Sequence, residues 1–185
     1  IGDLPITNPF EHASRYFARY PTLTLGHHPL LLGIAEVPFY ALFGISIFSA
    51  RLTIVFFMLL ASITWFLLIR SIYDETVAFL SSLIFITTPF IVKFSRIVMS
   101  EIPTLALIIV SAYLFYQYCE LDKKHYAFAT AVIFSLSLYS KRLAIFMAPV
   151  FLLYLLIWKG PKKLFQKDLI ISFIIIIVLG LPLVF

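Results

Sequence analysis

Long apolar runs, separated by short charged punctuation, constrain this chain more than any other feature. Leu52–Ile69 carries no charged residue, and Val77–Phe90, Leu105–Tyr118, Tyr126–Tyr139, Leu143–Trp158 and Leu169–Phe185 repeat the pattern. Such runs approach the length of helix that crosses a bilayer. The chain is 62% hydrophobic and only 12% charged, where a soluble domain is near half apolar and about a quarter charged. The runs are too many for a signal peptide, and none ends in a small-residue cleavage site. The class is therefore all-α integral membrane.

Several boundaries follow from local chemistry. Ile1–Gly26 is comparatively polar, and Phe10–Tyr20 within it suits a short interfacial helix behind Asn8 and Pro9. Leu30–Phe48 is apolar but contains Gly33, Glu36, Pro38 and Gly44. A mid-bilayer Glu beside a Pro is costly, so this stretch reads as a pair of short juxtamembrane or re-entrant helices. The expected division is 1–51, an outward loop, and 52–185, a helical bundle of about six spans. Ile1 is not an initiator methionine and the last run stops while still apolar, so the sequence reads as a fragment with a truncated final span.

If Leu30–Phe48 does not cross, the charges sort onto two faces. His27, His28, Arg51, Lys93, Arg96, Glu101, Lys141 and Arg142 fall on one, tight against helix mouths. Arg70, Lys123, Lys124, Lys159, Lys162, Lys163 and Lys167 fall on the other, in lysine-rich loops with acids among them, as cytoplasmic loops are. The net charge of +5 is scattered among apolar runs, which suits a bilayer surface and not nucleic acid. Cys119 is the lone cysteine, which excludes an internal disulfide and any Cys-cluster metal site.

The first face carries the chemistry. Phe90–Pro103 sets Lys93, Arg96 and Glu101 between two apolar runs, with Pro103 in the first turn of a helix. Glu101 suits a general base, an acceptor for a hydroxyl or a metal ligand, or else a simple ion pair with Arg96. Arg51 is either a snorkelling anchor or a guanidinium fork for phosphate. His27-His28-Pro29 is an interfacial loop or the lining of a polar pocket. Lys93, Arg96, Lys141 and Arg142 add cations that one anionic headgroup, or a soluble anion, would engage. No Gly-rich phosphate loop or nucleotide fingerprint is present.

Taken in order, His28-Pro29-Leu30, Leu42-Phe43-Gly44, Ala50-Arg51-Leu52, Thr88-Pro89-Phe90, Ser95-Arg96 and Glu101 resemble one family. It is the dolichyl-phosphate-mannose–protein mannosyltransferase type of membrane glycosyltransferase (glycosyltransferase family 39), related to the aminoarabinose transferases. The likeness runs from about Gly2 to Lys141.

The resemblance implies a GT-C-type multi-span bundle with juxtamembrane helices in the first outward loop. It implies transfer of a sugar, with inversion, from a polyprenyl-phosphate donor to a protein, lipid or glycan hydroxyl. The site would face outward from a plasma membrane of prokaryotic type. By position, Arg51, Arg96, Lys141 and Lys93 would bind donor phosphate, and His28 with His27 would line the pocket. Glu101, in place of the commoner Asp, would orient the acceptor or help hold a divalent metal, whose requirement stays open. The principal base of the family is expected upstream of Ile1, with Asp3 and Glu11 as fallback candidates. Leu30 in place of a second Pro departs from the pattern. The competing reading is a transporter or flippase for an anionic substrate, which predicts polar residues deep in several spans.

Overall fold

Glu101–Leu121 forms the helix around which the others pack. In the computed structural model, which describes residues 30–180, its apolar window is 56% buried, against 28% for Ile47–Ile72 and 11% for Arg142–Lys159. These are the described segments long and apolar enough to cross a membrane. In chain order the helices are α1 (Leu30–Phe43), α2 (Ile47–Ile72), α3 (Glu75–Thr87), α4 (Pro89–Phe94), α5 (Glu101–Leu121), α6 (Lys124–Ser140), α7 (Met147–Tyr154) and α8 (Lys167–Gly180). No strand occurs among the described residues.

α5 lies between α2 and α6, with α3 on the outer side of α2, α1 laid across α2 and α6, and α8 against α6. Small residues make this order possible. Ala106 on α5, Ala61 on α2, and Ala127 and Ala131 on α6 are almost wholly buried. In lipid, close backbone approach across such residues replaces the hydrophobic drive that packs helices in water. Ile54, Phe57, Ile102 and Ala106 form one cluster across α2 and α5, with Leu31, Leu32 and Ala35 of α1 laid against it. Phe134 and Leu138 of α6 form another with Ala144.

Several buried hydroxyls along α5 and α6 are satisfied within their own helices. Ser111 donates to Ile108 O (2.8 Å), Thr130 to Tyr126 O (2.8 Å) and Ser135 to Ala131 O (2.8 Å). This back-bonding removes the cost of an unpaired polar group in an apolar medium.

Helix ends follow their capping residues. Ser46 accepts from Ser49 N at 3.2 Å to start α2, and Asp74 accepts from Val77 N at 2.8 Å to start α3. Gly44, at φ 76°, separates α1 from α2. The apolar stretch 30–48 is thus one short helix followed by the first turn of α2, and not a pair of short helices. Glycine's tolerance of positive φ places the break. At about 21 Å, α1 is shorter than the hydrocarbon core. Its Glu36 accepts from Tyr40 OH at 3.1 Å, one turn on.

Prolines explain the other interruptions. Thr88, extended at φ −58°, ψ 127°, divides α3 from α4, as the residue before Pro89 must. Arg142–Phe146 is a 3-10 turn and Leu155–Lys159 a π turn, flanking α7. Pro149 lacks the N–H that would bond Ile145 O, so the turn before it cannot close as α-helix.

Candidate active site

Glu101 opens α5, with Ser100 before it and Pro103 in the first turn, where a missing N–H costs nothing. An acid here faces the positive end of the helix dipole. α6 ends at Ser140, and Lys141 follows in extended backbone at φ −159°, its N–H still bonded to Ser137 O at 2.9 Å. That turn carries the lysine side chain toward α5. Lys141 Nζ donates to Glu101 Oε1 at 2.8 Å. The expected alternative partner, Arg96, is not the one used: Arg96 is exposed and forms no ion pair among the described residues. Lys141 wins because antiparallel packing sets the end of α6 beside the start of α5.

Beneath the ion pair lies a hydroxyl knot. Thr104 Oγ1 and Ser140 Oγ are 2.8 Å apart, Thr104 Oγ1 donates to Ser100 O at 2.6 Å, and Ser140 Oγ reaches Ser100 O at 3.4 Å. Thr104 and Ser140 are buried. Charge patterning does not reveal the knot; its signal in the sequence is a small polar residue in the first turn of one helix and another at the end of the next, at one end of the bundle.

The second carboxylate oxygen, Glu101 Oε2, is buried and has no hydrogen-bond partner among the described residues. A buried acceptor without a donor is uncommon and leaves capacity for an incoming hydroxyl. Lys141, with 36% of its side chain exposed, keeps N–H donors beyond the one given to Glu101.

Arg51 lies exposed in the second turn of α2 and not at its first residue, because Ser46 caps the helix early. Lys93 is exposed near the end of α4, its Nζ 5.7 Å from the Phe94 ring centre. Both lie at the same end of the bundle as Glu101 and Lys141, since Ile54 and Ile102 share a cluster and Thr104 meets Ser140. At the opposite end, Tyr116 OH donates to Ser71 O at 3.0 Å and Lys159 pairs with Glu120 at 3.2 Å. His27, His28, Asp3 and Glu11 lie outside the described residues.

No group of three or more His, Cys, Asp or Glu is placed to hold a metal among the described residues. Glu101, with a lysine on one oxygen, does not by itself make a divalent-ion site.

One turn inside the charged mouth an apolar groove of about 480 Å³ opens between α2, α3, α4 and α5. Leu105, four residues after Glu101, is part of its wall, with Trp65, Phe85, Phe90, Ile91 and Ile109. Trp65 is stacked on Phe85 at 5.4 Å and donates to Ser81 Oγ at 2.9 Å.

A helical membrane bundle with an acid and several cations gathered at one end is the class defined by fold and site. The chain belongs to the dolichyl-phosphate-mannose-protein mannosyltransferase family, whose model matches residues 27–185. It is accordingly a membrane glycosyltransferase of the mannosyltransferase type, with a GT-C-type all-α fold. It matches no curated protein and no solved structure.

Proposed function

We propose that the protein transfers a sugar, with inversion, from a polyprenyl-phosphate-linked donor to an acceptor hydroxyl at the outer face of a plasma membrane. The observation that carries this reading is the Glu101–Lys141 pair, one carboxylate oxygen open, at the same end of the bundle as exposed Arg51, Lys93 and Arg96. In the reaction the acceptor oxygen attacks the anomeric carbon from the face opposite the phosphate. The carbon–oxygen bond to phosphate breaks with its electron pair, and the acceptor proton passes to a carboxylate base. Cations at the mouth hold the charge that develops on the departing phosphate, the kind of preorganised stabilisation that dominates many enzymes.

Roles then follow position. Arg51, Arg96, Lys93 and Lys141 bind donor phosphate, and Glu101 Oε2 orients the acceptor hydroxyl. His27 and His28 line the pocket. The principal base is assigned upstream of Ile1, with Asp3 and Glu11 behind it. The apolar groove one turn below Glu101 suits the isoprenoid chain, which has no polar group to satisfy. In this scheme the bundle begins with α2 at Ile47 and not at residue 52, and the outward loop is the chain before it. The acceptor is a hydroxyl of protein, lipid or glycan.

The test uses the protein expressed from its complete gene in membranes, with radiolabelled polyprenyl-phosphate sugars. Donor-dependent transfer lost in both Glu101→Gln and Arg51→Ala, at matched expression, supports the reading and these sites. Transfer unaffected by either overturns the site assignment, and no transfer from any donor overturns the donor class.

A further inference from the structure

We propose that the segment from Trp158 to Lys167, fastened to the α5–α6 turn, is a docking platform for the headgroup phosphate of an anionic phospholipid. It lies at the end of the bundle opposite Glu101. The proposal stands apart from the transfer chemistry and rests on how this segment is held and what it leaves uncovered.

The fastening uses both acids of the Glu120-Leu121-Asp122 turn. Lys159 Nζ donates to Glu120 Oε1 at 3.2 Å, and Lys163 pairs with Asp122. Asp122 adopts the left-handed conformation at φ 54°, which ends α5 and turns its carboxylate to the loop. Lys163 Nζ also stands 5.1 Å over the Tyr118 ring, and Tyr118 OH donates to Gln166 Oε1 at 3.2 Å. Gly160, at φ 80°, makes the corner that brings Lys163 back.

With those acids engaged, Lys162 and Lys167 remain exposed, and Lys123 and Lys124 are exposed across the turn. None of the four forms an ion pair among the described residues. Asp168 is the remaining acid of the segment, half-buried in the first turn of α8. The uncovered charge is therefore positive, which selects an anionic over a zwitterionic headgroup. Trp158 and Phe165 are 72% and 80% exposed on the same segment. Large aromatics open at the end of an apolar helix fit the headgroup level of a bilayer, and fix the depth of the lysines beside them. A loose lysine loop attracts an anionic surface diffusely. This one is fixed by its own ion pairs, which hold Lys162 and Lys167 on one short anchored segment.

The test reads Trp158 quenching in nanodiscs of phosphatidylcholine containing the full chain. Of the two tryptophans, Trp65 is replaced by Phe, and brominated phosphatidylglycerol is compared with brominated phosphatidylcholine. At about fivefold per lysine near an anionic surface, the glycerol lipid should quench at a mole fraction about 25-fold lower. In K162Q/K167Q the two lipids should quench alike. Equal quenching in the parent, as expected if an acidic protein is the true partner, overturns the proposal; so does a preference that survives the double variant. If Trp65→Phe fails to fold, native mass spectrometry decides with unaltered tryptophans. Phosphatidylglycerol retained by the parent chain and lost in K162Q/K167Q supports the platform, and equal retention overturns it.

Discussion

Lys141 places its Nζ 2.8 Å from Oε1 of Glu101, 40 positions earlier in the chain, and so closes the mouths of α6 and α5 with one contact. Neither residue is fully buried: their side chains are 36% and 18% exposed. The pair is accessible enough to meet a substrate and covered enough to have a defined geometry.

Removing the cation should cost catalysis more than folding. Lys141→Ala is expected to lower donor-dependent sugar transfer about 100-fold, the usual loss for one electrostatic contact to developing charge. Lys141→Arg should retain a larger share, since it keeps the charge. Initial rates at saturating acceptor, with the amount of folded protein matched, check both.

The hydroxyl knot predicts a stability effect separable from activity. Thr104→Val and Ser140→Ala should each destabilise by about 1 kcal/mol, because each leaves a buried partner short of a bond. The double variant should cost less than the sum, with coupling of about 0.6 kcal/mol. Reversible unfolding in mixed micelles measures the cycle, and strict additivity would argue that the two hydroxyls do not interact.

Glycines give a paired prediction of opposite sign. Gly44→Ala places a Cβ at φ 76° and should destabilise by about 1 kcal/mol. Gly33→Ala, within α1 and with open space around its Cβ position, should stabilise by about 0.5–1 kcal/mol. Thermal unfolding of the two variants beside the parent reads both signs.

The sorting of charges onto two ends predicts a labelling pattern. Cys119 is buried and should resist a membrane-impermeant maleimide, so single cysteines can be read above a low background. Lys93→Cys should react in intact cells, and Lys162→Cys only after permeabilisation. The reverse pattern would invert the proposed orientation.

Much of the architecture was legible because lipid leaves a helix few choices. Uncharged runs gave α2, α5 and α6 nearly to their ends, and the charged positions between them gave the turns. The exceptions have local causes. α2 starts at Ile47 because Ser46 caps it, a signal weaker in the sequence than the charge of Arg51. Leu143–Trp158 reads as one span, and Arg142–Lys159 is long and apolar enough to cross, though its course passes from 3-10 through α to π turns. At the site, charge order places Glu101 and Lys141 on one face but names Arg96, and not Lys141, as the ion-pair partner. That choice depends on which helix α5 packs beside, and single-helix patterning does not contain it.

The contact of α5 with α6, in which Ala127 and Ala131 are almost wholly buried, leaves almost no slack between the two backbones. Room is available on the other flank, where Thr88–Pro89 and the irregular stretch Ser95–Ser100 break the chain into short levers. The α5–α6 pair is thus the firmly packed flank of the mouth, and α4, a short helix with Ile91 as its buried residue, is the thinly anchored one.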